Sequence, residues 1–445
     1  MEKNKLGKSA LLPLILLIGL LASYFVKVSI IGYELKSVDI LSDVRVDTIK
    51  KKKIVSASKK QISDTCLSGL TCFEDYSDDT SALNKIFEAL YRLKQSNKTK
   101  VRIGFFGDSF IEGDIFCADF RDTLQTIFGG NGVGYVPITS EVSQFRTTVQ
   151  HSFYGFNTYS IVKNQSNNIP LGAAGFCIVP NEQGCYAKYS ANMHLPHLDQ
   201  FHDIKLFYKT SENLNLKCTF NSLKTVDFKM TASPFIQQLI WNRINVSSIK
   251  FDFPLTDKLR LYGVSFEDST GIYVDNFGVR GNSGLGLLNI TNAMHHQFDS
   301  LQNYNLIILQ YGLNVISADT KDVSWYKNTM VKMITQMKSA YPNASFLLVS
   351  VSDRSMNVNG EYRTMQTIPM LVDAQRQIAK ESKIAFWDLF SAMGGDGSMV
   401  YMVNNDPPLA NKDYTHLNAK GGKKIADIFA KTILYELKKY NEKKK

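Results

Sequence analysis

Cysteine and histidine are scarce in this 445-residue chain, numbering six and seven, and no cluster of them has zinc-site spacing. A metal-dependent reading therefore has no ligand set to stand on. No organic cofactor motif is read either. Internal repeats and low-complexity segments are absent, which excludes solenoid and fibrous architectures. A basic helix interleaved with aromatics is also missing. Much of the formal charge of +10 falls instead at Lys3, Lys5 and Lys8, at Lys50 to Lys53 with Lys59 and Lys60, and at Lys443 to Lys445. Those are membrane-flanking and solvated positions, so nucleic acid is not the expected partner. What remains is an ordinary folded composition, 44% hydrophobic and 21% charged. The chain is too long for one compact core and fits two globular units with connecting segments.

One apolar run stands apart, Ser9 to Val26 (SALLPLILLIGLLASYFV), uncharged and about long enough to cross a bilayer. The lysines before it favour a cytoplasmic N-terminus and send the rest outward. A cleaved signal peptide is the competing reading. Small residues suited to cleavage are scarce near the end of the run, and no cysteine follows to carry a lipid. The preferred expectation is an uncleaved anchor over 1–31 and a catalytic unit in the cell envelope, on the periplasmic face of an inner membrane. A cleaved signal would leave it exported. Export permits disulfides, and both Cys66/Cys72 and Cys177/Cys185 are close enough in sequence to close small loops.

Residues 32–78 lack sustained periodicity and read as a stalk. Leu83, Ile86, Phe87, Leu90 and Leu93 then recur at helical spacing, with Ser81 as cap. A short apolar strand, Val101 to Phe106, ends at Gly107-Asp108-Ser109, and a helix is expected from Ile111 to Phe128. From about Val133 the texture changes to short alternating runs such as DIKLFYKT, SIKFDF and KLRLYGVSFE, the pattern of an all-β sandwich. Strands then alternate with helices again. Ile272 to Val279, Leu306 to Gln310, Phe346 to Val351 and Ile384 to Leu389 read as buried strands, and 285–299, 325–340, 363–382 and 418–439 as helices. The predicted architecture is α/β, a mostly parallel sheet covered on both faces. It divides into 79–132 and 271–445, with a β-sandwich inserted over 133–270.

In an open parallel sheet, reactive groups gather at the carboxyl ends of strands. Ser109 directly follows such a strand and opens a helix, a seat suited to a nucleophile, although Asp108-Ser109 can equally be a simple helix cap. Asp413-Tyr414-Thr415-His416 precedes the last helix, with a spacing that lets the carboxylate hold one imidazole nitrogen while the other faces a serine. Gly281 and Asn314 follow two further strands and can join the Ser109 N–H around a developing oxyanion. Glu112 and Asp114 suit the helix dipole. His194, His197 and the His295-His296 pair read as surface or structural residues.

The stretches FFGDSFIEGD, FGVRGNSG, QYGLNV and DYTHLNAKGG together resemble the four motif blocks of the SGNH (GDSL-type) hydrolases. The resemblance implies a three-layer, flavodoxin-like sheet, Ser109 as nucleophile, Ser109, Gly281 and Asn314 as oxyanion donors, and Asp413 and His416 completing a triad. Val315 departs from the Asn-Asp pair of many members. LQTIFGGNGVGYVP, LYGVSFEDSTGIYVDNFGVRG and the β-rich insert resemble, more narrowly, the peptidoglycan O-acetylesterases that carry a jelly-roll module similar to carbohydrate-binding modules. That likeness implies an acetylated polysaccharide as substrate and no cofactor. Arg280, Asp353 and Trp241 are then candidate substrate contacts, and Tyr154, Phe156 and Tyr159 candidate sugar-stacking rings. Two other readings share the site: a polysaccharide O-acetyltransferase partnered with a membrane acetyl exporter, and a glycan-binding protein with a vestigial centre.

Overall fold

The computed structural model describes residues 66–444 except 68, 97, 164–168 and 194, together with two short strands, Ser29–Ile30 and Tyr33–Glu34. Contacts divide the chain into units 1–62 and 63–445. In the first, the two short strands pair antiparallel. The Ser9 to Val26 run, most of the expected stalk and His194 lie outside the described residues. Among the described residues no helix is long and apolar enough to cross a membrane.

The larger unit is built on a six-stranded sheet. Its strands are β1 (Glu74–Asp75), β2 (Lys100–Gly107), β3 (Gly271–Gly278), β4 (Leu306–Gln310), β5 (Ser345–Val349) and β6 (Ala385–Trp387), in the order β3-β2-β4-β5-β6-β1. All neighbours are parallel except the β6–β1 edge. Strands β3, β4 and β5 are buried along their length because both faces of the sheet are covered, as parallel pairing demands. Phe106, Leu309 and Phe346 enter one core with helices α4 (Asn292–Gln302), α5 (Ser324–Ala340) and α6 (Thr367–Ser382). Phe105, Ile308 and Leu347 enter the other, with α1 (Asn84–Ser96), α3 (Cys117–Phe128) and α9 (Ala419–Lys444). The segment read as the end of a stalk is part of this unit. Cys66 and Cys72 are disulfide-bonded, and Thr71 C=O accepts from Trp387 Nε1–H at 2.9 Å.

Between α3 and β3 runs the predicted sandwich, two antiparallel sheets of six and five strands. Its core contains Trp241, which packs edge-on against Phe228 at 5.2 Å and is 6% exposed. The expectation that Trp241 contacts substrate is therefore corrected: its indole fills the sandwich interior. Cys177 and Cys185 do not pair. They belong to different core clusters, Cys177 beside Tyr262 and Cys185 within the sandwich, and both are free, as are Cys117 and Cys218.

Buried charge fixes the insert to the α/β layer. Arg102 on β2 donates to both oxygens of Asp275 on β3 at 3.0 Å and pairs with Glu267 of the sandwich. Asp114 accepts from Arg121 at 2.9 and 3.1 Å, from Thr148 at 2.7 Å and from Asn276 at 3.0 Å. Burial opposes ionisation of Asp114, yet the Arg121 and Arg146 guanidiniums hold its carboxyl well below the ordinary range. Asp114 also stands at φ +63°, so the helix expected over 111–128 is broken there into α2 (Ser109–Glu112) and α3.

Candidate active site

The sheet order runs outward in both directions from β2, which makes the carboxyl end of β2 a switch point, where open α/β sheets bind ligands. Register brings three strand ends level there: Gly107 of β2 pairs with Gly278 of β3 on one side and with Gln310 of β4 on the other. The turn into α2 sits tightly on them. A Cβ at Gly107 would lie 2.3 Å from Ile111 Cγ1, and one at Gly278 would lie 2.4 Å from Glu112 N. Glycine at both places lets α2 start immediately, with the Asp108 carboxylate accepting from Phe110 N–H at 3.0 Å as its cap.

Ser109, at the first position of α2, meets His416 across 307 residues of sequence: Oγ and Nε2 are 2.9 Å apart. His416 Nδ1 lies 2.7 Å from Asp413 Oδ2, and Asp413 Oδ1 accepts the N–H groups of Thr415 at 2.9 Å and His416 at 3.0 Å. With a carboxylate on one side, Nδ1 carries the hydrogen and Nε2 is left as the acceptor facing the serine hydroxyl. Partial burial raises the Asp413 carboxyl, but the bonds from the His416 backbone and ring and from Thr415 outweigh it and keep the group below the usual carboxylate range. The arrangement can draw a proton from Ser109 and stabilise the imidazolium that results.

Gly281 and Asn314 follow β3 and β4, the strands on either side of β2. Gly281 adopts φ +75°, a conformation that favours glycine. The amide of Asn314 donates to Asp108 Oδ2 at 3.2 Å and to Asn282 C=O at 3.1 Å, so Asp108 holds the Asn314 side chain against the strand ends. Asp108 itself is buried, and that burial pushes its carboxyl up to about 6, against the opposing pull of the Phe110 N–H and of His416. Sequence reasoning gave Asp108 no role beyond a cap, because nothing in the sequence places Asn314 beside it.

Two recesses open near the carboxyl ends of β2 and β3, and only the smaller is lined by members of the relay. A small one of about 20 Å³ is formed by Ser109, His416, Phe110 and Phe116. A larger cavity, about 200 Å³, opens between sandwich and α/β layer and is lined by Tyr135, Phe153, Val162, Phe176, Glu112 and Arg280 among others. Arg280 Nε donates to Glu112 at 2.6 Å, so its charge is already met by a neighbour whose carboxyl is raised by burial despite that pairing. Arg280 does line this cavity, as a substrate contact would. Asp353 lines neither recess. It is fully buried and accepts from Thr364 Oγ1 at 2.8 Å, Met399 N at 2.7 Å and Ser398 Oγ at 3.2 Å, a structural role that corrects its reading as a substrate contact. Tyr154 is exposed, and its hydroxyl bonds to Glu182, whereas Phe156 packs on Phe253. His295 is buried beside Tyr341 and held neutral, its ring pushed down to about 4 by burial, and His197 pairs with Asp122.

Residues 258–424 match the GDSL-like lipase/acylhydrolase family. A solved structure described as a peptidoglycan O-acetylesterase superposes with a TM-score of 0.67 at 19% identity, covering 82% of this chain and 99% of that one, a likeness of fold. A family two carbohydrate esterase from Cellvibrio japonicus (8% identity, 65% and 99% covered) and a salicylyl-acyltransferase from a tetracycline biosynthetic pathway (12%, 68% and 96%) reach TM-scores of only 0.27 and 0.30. Scores that low carry no argument. No curated protein matches the sequence.

Proposed function

Starting from a chain that carries a GDSL-like lipase/acylhydrolase domain, we propose that it is a serine esterase removing O-acetyl groups from a cell-wall polysaccharide, with peptidoglycan as the substrate. The observation that carries the reading is the continuous relay Ser109–His416–Asp413 at the carboxyl end of β2. Ser109 Oγ attacks the acetyl carbonyl as its proton passes to His416 Nε2. The tetrahedral oxyanion forms beside the Ser109 and Gly281 N–H groups, each donor worth about 2.7–4 kcal/mol of barrier, and the Asn314 amide joins them by exchanging one of its bonds to Asp108 or Asn282. Collapse breaks the ester bond, and His416 returns its proton to the departing sugar hydroxyl. Water, deprotonated by His416, then cleaves the acetyl-serine and releases acetate. The sandwich beside the larger cavity and the shared fold with a protein of that activity support a glycan substrate.

Side chains of His416 and Asp413 are 41% and 48% exposed, so water has ready access to the imidazole. That favours hydrolysis over transfer to a sugar by an acetyltransferase working with a membrane acetyl exporter. The apolar run at Ser9 to Val26 supports a location in the cell envelope, tethered or exported. The test is acetate release from O-acetylated peptidoglycan. Wild type should release it and Ser109→Ala should not. Equal release by both would refute the assignment, and acetylated glycan formed in place of acetate, with a donor and unmodified acceptor, would establish the transferase instead.

A further inference from the structure

Among the described residues the strands Ser355–Val358 and Glu361–Thr364 pair only with each other, and they supply no member of the relay. Asn359 and Gly360 close them at φ of 54° and 92°, the Asn-Gly turn that suits a two-residue hairpin. A lone hairpin is marginal in water, and this one is fixed at its root. Met356 packs against a main core. Thr364 Oγ1 donates to the buried Asp353 and accepts the Gly397 N–H at 2.8 Å, while Asp353 also receives Ser398 and Met399 of helix α8 (Ser398–Asn404).

The other side of the hairpin touches the triad loop. Ser355 N–H donates to Tyr414 C=O at 2.9 Å, and the Tyr362 ring lies on the Tyr414 ring, centroids 3.5 Å apart and planes 6° from parallel. Tyr414 stands between Asp413 and His416 and holds φ +54°. A bulky residue rarely adopts that conformation, and it persists where surroundings over-determine it. The same turn lets Asp413 Oδ1 gather the Thr415 and His416 N–H groups while Oδ2 meets the imidazole.

We propose that Tyr362 is a positioning residue for the imidazole: delivered by its hairpin, its ring clamps Tyr414 and thereby holds Asp413 and His416 in register with Ser109. The inference rests on the esterase reading of that relay. The experiment compares wild type, Ser109→Ala, Tyr362→Ala and Tyr362→Phe on a small soluble acetyl ester and on O-acetylated polymer, with rates normalised to titrated active sites. Tyr362→Ala should lose about ten- to a hundredfold in kcat on both substrates, the scale of ångström-level misplacement, with KM for the small ester unchanged. Tyr362→Phe keeps the ring and should retain the wild-type kcat, a rescue by the conservative variant that ties the loss to the stacked ring. Parental kcat in Tyr362→Ala on the small ester overturns the proposal, including the case where only KM for polymer rises and the ring is a sugar platform. Should Tyr362→Ala fail to fold, Thr364→Val loosens the root instead: a lowered kcat supports the clamp and an unchanged one overturns it. If wild type and Ser109→Ala hydrolyse the small ester alike, the serine reading fails first and separately.

Discussion

Replacing Asp413 by asparagine should leave the loop in place and still remove most of the activity, more completely than replacing it by alanine. Asp413 Oδ1 accepts two backbone N–H groups, at 2.9 and 3.0 Å, and Oδ2 faces His416 Nδ1 at 2.7 Å. An asparagine held there must give its carbonyl oxygen to the two N–H donors, which puts its NH2 opposite Nδ1. The imidazole can then only accept at Nδ1, so its hydrogen moves to Nε2, 2.9 Å from Ser109, where no proton can be taken from the hydroxyl. Two contributions separate on magnitude. The lost charge is 48% exposed and screened, worth about 0–1 kcal/mol. The wrong tautomer is not screened; the equivalent swap in a serine protease costs about 10⁴ in kcat. Allowing for the open site, a loss of about 10³, or about 4 kcal/mol of barrier, is expected. Alanine leaves Nδ1 to water, which supports either tautomer, and should cost about 10². Saturating hydrolysis of a chromogenic acetyl ester measures both, with thermal melts confirming the fold. An asparagine variant within tenfold of wild type, or less damaged than the alanine variant, would refute the reasoning.

Other substitutions test the surrounding structure. Asp108 has its carboxyl raised from 3.8 to about 6 in the fold, so the folded state holds the proton more tightly than the unfolded chain. Stability from this group is therefore undiminished below about pH 4 and falls as pH rises through about 6, by about 3 kcal/mol. Urea unfolding should show Asp108→Asn gaining on wild type by that amount across the window, and parallel pH curves would contradict it. Asp114→Asn leaves Arg121 and Arg146 buried against a neutral group and should cost about 3–5 kcal/mol, read by the same method. Trp241→Phe should lower stability through lost packing and leave KM for O-acetylated polymer unchanged; a raised KM would return Trp241 to the substrate surface.

The parts of the fold legible in the sequence were those written in periodicity and at strand ends. Buried apolar runs predicted β2 to β6, and Leu306 to Gln310 coincides with β4 residue for residue. The relay was legible because Ser109 follows a recognisable strand and His416 precedes a recognisable helix, so the α/β topology brings them together. What stayed hidden depends on contacts distant in sequence. Asp353 resembled a site-facing carboxylate because its partners Thr364, Ser398 and Met399 lie 11 to 46 residues later. Trp241 lies on a strand whose alternation says which side chains share a face but not which face meets the opposing sheet. Cys177 and Cys185 are close in sequence, yet they enter separate cores, so sequence spacing alone misled. The edge strand Glu74–Asp75 is two residues long and leaves no period to detect. The 355–364 hairpin had a signal in Asn359-Gly360, flanked by alternating residues, that points to a turn of this kind.

The most direct test of the account is the mass of the enzyme during turnover. Wild type mixed with a good acetyl ester and quenched in acid should carry one acetyl group, and peptide mapping should place it on Ser109. Acetate release that continues in Ser109→Ala, or an acetyl group mapped to any other residue on the reaction path, would contradict it.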